Sequence, residues 1–185
     1  MKPLSRNSVA GYTLIELVVI VVIVGTLAAI AAPSWLVFLN RQRLTTAQSE
    51  AVTAMREAQA NAKRQKRNWE VCFKDDGTKV TWTVRPTPNT NPTLDCSTNA
   101  GVWKNLTDSD AQKIRLDPAS TNRGVRFQSN GWVDPQTPRP TGGDPDADIT
   151  KVTLMLRNQS GGSKRCVFVA TMLGAIRTGN DNECN

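Results

Sequence analysis

The chain has 185 residues, 23 Lys+Arg against 16 Asp+Glu, no His, and a formal net charge of +7. Without His, the commonest general base and metal ligand is missing, so a hydrolytic triad or a His-bearing metal site is excluded. The mild basic excess attracts polyanions, but it is equally an ordinary solubilising surface.

Residues 1–11 carry two charges, Lys2 and Arg6, and are followed by Tyr12-Thr13-Leu14-Ile15-Glu16. From Leu17 to Ala32 the chain is apolar except at Gly25 and Thr26. An acidic side chain costs roughly 2.5–3.5 kcal/mol at the centre of a membrane helix and less toward its end. Such a residue is kept where something pairs with it. Two plainer readings compete. A secretory signal would be cut after Ala29-Ile30-Ala31. A single-span anchor needs about 20 apolar residues and reaches that length only by enclosing Glu16.

Pro33 predicts a kink or a loosened turn, because it lacks an N–H and crowds the preceding carbonyl. Beyond it Leu36, Leu39, Leu44, Ala47, Ala51, Met55, Ala58 and Ala62 recur at helical spacing, with Arg41, Arg43, Glu50, Arg56 and Glu57 elsewhere around the helix. This predicts one helix over residues 12–67, roughly 80 Å long. Its second half should pack an apolar face on a sheet. The basic run Lys63-Arg64-Gln65-Lys66-Arg67 suits the negative end of a helix dipole better than a dedicated polyanion site.

The remainder reads as strands at 70–74, 79–85, 101–104, 113–116, 125–128, 151–157, 166–171 and 175–178. Turn signals such as Asp75-Asp76-Gly77, Ser129-Asn130-Gly131 and Leu173-Gly174 separate many of them. Segments 86–100 and 134–148 are rich in Pro, Asn, Thr and Asp and read as surface loops. Trp69, Trp82, Trp103 and Trp132 read mostly as core anchors. Cys72, Cys96, Cys166 and Cys184 all follow the apolar segment. In an exported domain an even count predicts two disulfides with three connectivities; the expectation is the sequential pairing, Cys72–Cys96 and Cys166–Cys184, which closes short loops. No Cys pair has the spacing of a metal site. Asp144, Asp146 and Asp148 alternate as in a calcium loop, yet Ile149 and Met155 stand where Gly and Glu are needed. No metal or cofactor is expected.

The N-terminal pattern resembles the type IV prepilin signature: a basic leader ending in Gly, an aromatic residue, Thr-Leu-Ile-Glu and a long apolar helix. The resemblance implies cleavage between Gly11 and Tyr12 by a prepilin peptidase, N-methylation of Tyr12, and Glu16 as the filament-assembly residue. Losing Lys2 and Arg6 with the leader would lower the formal charge from +7 to +5. The C-terminal part resembles the GspH/FimT-type minor pilins and pseudopilins through Val125-Arg126-Phe127-Gln128-Ser129-Asn130-Gly131 and the Cys166–Arg177 segment. Some of these relatives bind DNA through a basic C-terminal region, which makes Arg126, Lys164, Arg165 and Arg177 the matching candidates here. That family often has Gly-Arg-x-Arg in its last hairpin, whereas this chain has Gly174-Ala175-Ile176-Arg177.

The expected fold is α+β and pilin-like, a long N-terminal helix packed on an antiparallel β-sheet head. The expected parts are a leader over 1–11, a membrane or filament-core helix over 12–32, its amphipathic continuation over 33–68 and a head over 69–185. The expected role is that of a non-enzymatic minor filament subunit, held in the inner membrane with its head in the periplasm. Its expected partners are other pilin subunits, the prepilin peptidase and an inner-membrane assembly platform. The alternatives are a DNA-binding minor pilin for uptake and a type II secretion pseudopilin.

Overall fold

The computed structural model describes residues 11–87, 94, 96–97, 101–108, 110–118, 123–137, 149–158 and 162–184, the side chains of residues 32 and 33 excepted. Asp144, Asp146, Asp148 and most of the 134–148 loop lie outside the described residues. One helix, α1, runs Leu14–Gln65. Among the described residues eight strands follow: β1 (Trp69–Asp75), β2 (Val80–Pro86), β3 (Lys104–Asn105), β4 (Ile114–Leu116), β5 (Gly124–Phe127), β6 (Thr150–Leu156), β7 (Lys164–Val169) and β8 (Ile176–Asn180). The chain divides into two compact units, Met1–Leu39 and Asn40–Asn185.

In the first unit every described side chain from Gly11 to Phe38 is exposed. Exposure falls to intermediate at Leu39 and Asn40. An apolar helix exposed all round has no internal packing to hold it and must find an apolar medium or partner elsewhere.

In the second unit the expected antiparallel β head is built of two four-stranded sheets, with the orders β3-β2-β1-β5 and β4-β6-β7-β8. All pairings are antiparallel. Each expected strand is present within a few residues. The largest shift is at 101–104, where only Lys104 and Asn105 pair with β2. Gly101, at φ +98, precedes the pairing.

The helical stripe is buried from Leu44 onward, through Ala47, Ala51, Ala54, Met55, Ala58 and Ala62; Leu36, expected on the same stripe, is exposed. These residues share one core with Val71, Phe73 and Trp82 of the first sheet and Leu154, Leu156, Val167 and Val169 of the second. The small alanines of this face pack among the larger strand side chains of the same core.

Polar side chains of the helix complete the docking. Glu50, expected on the solvated face, accepts from Trp82 Nε1 at 2.9 Å and from the Thr107 N–H at 2.8 Å. Gln48 donates through Nε2 to the carbonyls of Cys166 and Gly179, both at 2.9 Å. Gln59 donates to the carbonyls of Gly131 at 2.9 Å and Gly174 at 3.2 Å. Gly174 sits at φ +80, and a Cβ there would meet Gln59 Nε2, so glycine is required by both backbone and space. Past α1, Lys66 takes the left-handed conformation (φ 53) that ends a helix at its C′ position.

Candidate functional site

At the start of α1 the sequence Thr13-Leu14-Ile15-Glu16 folds as a reciprocal cap. The Thr13 carbonyl accepts from the Leu17 N–H at 3.2 Å, which makes Thr13 the residue flanking the first turn. Its Oγ1 accepts from the Glu16 N–H at 3.3 Å, and Glu16 Oε2 accepts from the Thr13 N–H at 3.5 Å. This is the Ser/Thr-x-x-Glu capping box, in which two backbone donors of the first turn are satisfied by side chains. A carboxylate there is also favoured by the positive end of the helix dipole. Thr-x-x-Glu stands in the sequence and was the signal for this cap, which attention to the acidic charge alone passes over.

The cap changes what Glu16 can do in the intact chain. The Tyr12 nitrogen is an uncharged amide, and Glu16 turns back on its own helix. Tyr12 is 81 % exposed, and a Cβ at Gly11 would meet nothing within 4 Å. Gly11 and Tyr12 are both exposed and precede the first turn of α1.

In the second unit the four cysteines form Cys72–Cys96 and Cys166–Cys184, the sequential pairing. Gly124 passes so close to the first bridge that an added Cβ would lie 2.9 Å from Cys96 Sγ and run into the Val71 carbonyl. The second bridge packs with Phe168 in a small cluster and ties the C-terminal turn Asp181–Cys184 to β7. Among the described residues no group of three or more His, Cys, Asp or Glu is placed to hold a metal ion.

Of the four basic candidates, Arg126 does not reach the surface. Arg126 is corrected from a surface residue to a core one: it is 3 % exposed, and its Nη2 lies 3.0 Å from Glu70 Oε2. Glu70 is itself 1 % exposed and binds Arg85 Nε at 2.7 Å through its other oxygen. The cross-strand register explains the triad, because Glu70 lies opposite Arg85 on β2 and opposite Arg126 on β5. Lys164 pairs with Asp117 at 3.3 Å and Arg165 with Asp181 at 3.8 Å. The Arg177 guanidinium lies over the Phe168 ring, 4.0 Å from its centroid. Arg177 is the exposed member of the set. The Trp residues divide similarly: Trp82 is buried, Trp69 and Trp103 are half-buried, and Trp132 is 50 % exposed, so it anchors no core.

Residues 6–32 match the family model described as the prokaryotic N-terminal methylation motif. No curated protein matches the chain. The chain is similar in structure to the type IV minor pilin FimU of Pseudomonas aeruginosa (strain PAO1) in space group P21. That match has 16 % identity and a TM-score of 0.51, covering 80 % of this chain and 96 % of that one. The same pilin in space group P65 is similar at 14 % identity and a TM-score of 0.49, covering 77 % of this chain and 97 % of that one. The chain carries the N-terminal methylation motif at its amino end, and its fold is that of a type IV minor pilin.

Proposed function

We propose that this chain is a minor structural subunit of a type IV pilus or pilus-like filament, secretion pseudopili included. A prepilin peptidase cuts between Gly11 and Tyr12, and the new amino terminus is methylated. The helix then holds the subunit in the inner membrane, with the head in the periplasm, until an assembly platform passes it into the filament. Its work is association with other pilin subunits, not catalysis.

The observation that carries this reading is the exposed apolar segment from Tyr12 to Phe38, helical from Leu14, with Glu16 about one turn from the proposed processing site. Between Arg6 and Arg41 no other side chain is charged. Cleavage turns the Tyr12 nitrogen from an amide into an amine within reach of the first turn. In a bundle of such helices, of low dielectric, the amine and carboxylate lower each other's burial cost, within one subunit or between neighbours. That supplies register as well as attraction.

Intact mass of the protein extracted from membranes tests the reading. Loss of residues 1–11 with one added methyl is the expected result; cleavage after Ala31, or no cleavage, overturns it. In parallel, Glu16→Ala should reach the membrane but be excluded from filaments.

A further inference from the structure

We propose that Trp35 and Phe38 form an interfacial anchor that seats the helix at the lipid headgroup boundary on the side of the head. The inference rests on the membrane-held stage of the reading above. Trp35 and Phe38 stand at i and i+3, hence on one helix face, with ring centroids 5.8 Å apart. They are 61 % and 55 % exposed, which is a large apolar and aromatic surface to leave in water. Both lie beyond Ala32, where the aliphatic run stops.

The placement of aromatic residues argues for lipid as the occupant. Residues 13–34 contain no Phe, Trp or Tyr, while Tyr12 stands just before them and Trp35 just after. From Tyr12 to Trp35 the chain covers about 35 Å at 1.5 Å per residue. A bilayer has about 30 Å of hydrocarbon and about 40–45 Å with its headgroup regions, so rings at those two positions fall in opposite interfacial layers. Trp and Tyr are enriched in those layers because one end of the ring is apolar and the other can hydrogen-bond. Directly after Leu39 the sequence turns polar, as Asn40-Arg41-Gln42-Arg43, which is the composition expected on the water side of such a layer. The aromatic pair thus sets the depth of the helix, and its removal from the interface is part of leaving the membrane for a filament.

The test uses the processed full chain in phosphatidylethanolamine–phosphatidylglycerol vesicles, with bromine on the acyl chains either near the headgroups or near the bilayer centre. Subtracting the emission of Trp35→Phe from that of the parent isolates Trp35. The expected signal is blue-shifted relative to Trp in water and quenched severalfold more by shallow than by deep bromine. It should not change on tenfold dilution of protein into lipid. Water-like, unquenched emission, or strongest quenching by deep bromine, overturns the placement. Quenching that depends on dilution also overturns it, since a second copy would then be covering the pair. Vesicle flotation separates the two levels: a chain that floats with misplaced Trp35 defeats this inference alone, while a chain that does not float defeats the membrane stage as well.

Discussion

Arg157, in the turn leaving β6, donates through Nη2 to Oδ1 of Asp75 at the end of β1, 2.8 Å away. The two residues belong to different sheets, so this contact joins them directly. Arg157 also donates to the carbonyls of Gly77 at 2.8 Å, Ile114 at 2.9 Å and Gln112 at 3.2 Å. Asp75 Oδ2 in turn accepts from the Leu116 N–H at 3.1 Å. One guanidinium therefore satisfies the β1–β2 turn and the strand β4 together. Arg157→Ala should lower stability by about 2 kcal/mol, on the scale of hydrogen bonds to a charged group in a partly buried site. Urea unfolding of the parent and the variant measures it, and a loss within error shows that the sheets hold without this clamp.

The Glu70 triad should be the most sensitive polar site in the head. Glu70→Ala leaves two guanidiniums in a buried setting without the carboxylate that bridges them, and removing one partner of a buried pair costs about 3–5 kcal/mol. Arg85→Ala and Arg126→Ala remove one arm each and should cost less. A Glu70→Ala head as stable as the parent in a denaturant titration would count against a central role for the triad.

Each disulfide constrains the unfolded chain. The cysteines are 24 residues apart in one bridge and 18 in the other. Loops of that size correspond to about 3 kcal/mol apiece in the chain-entropy account. Cys72→Ser/Cys96→Ser and Cys166→Ser/Cys184→Ser should therefore lower stability by similar amounts. A much larger loss for the second would show that the bridge also fixes the C-terminal turn onto Phe168.

Two carboxylates predict how the head responds to acid. Asp76 is held at about 2, below its ordinary 3.8, by hydrogen bonds from the Thr78 hydroxyl first and then from the Lys79 and Thr78 N–H groups. Burial tends to raise Asp110, but hydrogen bonding from Lys113 and the charge of Arg43 outweigh it and hold it below 3.8. Both folded-state values lie below the unfolded one. Their stabilisation is therefore present above about pH 4 and is lost as pH falls through the folded values, near 2 for Asp76. Melting temperature should be flat at neutral pH and decline below about pH 4. Asp76→Asn should shallow that decline, and an unchanged acid limb would exclude Asp76 as a contributor.

The cap at the helix start makes a separate prediction. Thr13→Ala removes the hydroxyl that accepts from Glu16 and should loosen the first turn by about 1 kcal/mol. Amide exchange at Glu16 and Leu17 should speed by roughly fivefold, which is that energy as a rate ratio. Glu16→Gln keeps an acceptor for the Thr13 N–H, so it should retain the cap while losing the charge proposed for assembly. That variant separates the two roles of one side chain: normal exchange with lost filament incorporation supports both.

Much was legible before any coordinates. Strand positions follow from local alternation and turn chemistry, as in Val80-Thr81-Trp82-Thr83-Val84 and the Asp75-Asp76-Gly77 turn, whose Gly77 takes φ +89. The buried face of α1 follows from a helical repeat of small and apolar residues. What alternation cannot specify is partnership. Nothing local tells β4 to pair with β6 rather than extend the sheet of β1 and β2. Local sequence places Glu50 off the apolar stripe and says nothing of Gln48 or Gln59; only the packed strands supply the carbonyls and N–H groups these three bind. Arg126 was misplaced for the same reason, since its partner Glu70 is 56 positions away.

Local order in the chain was enough to specify the amino-terminal segment: a Thr-x-x-Glu turn and a long aliphatic run act through neighbours a few residues apart. Tertiary structure alone decided which charges are spent inside the head and which remain outside. That choice depends on contacts between distant strands, where the cost of stripping water from a charge is offset only when the opposite charge arrives in register.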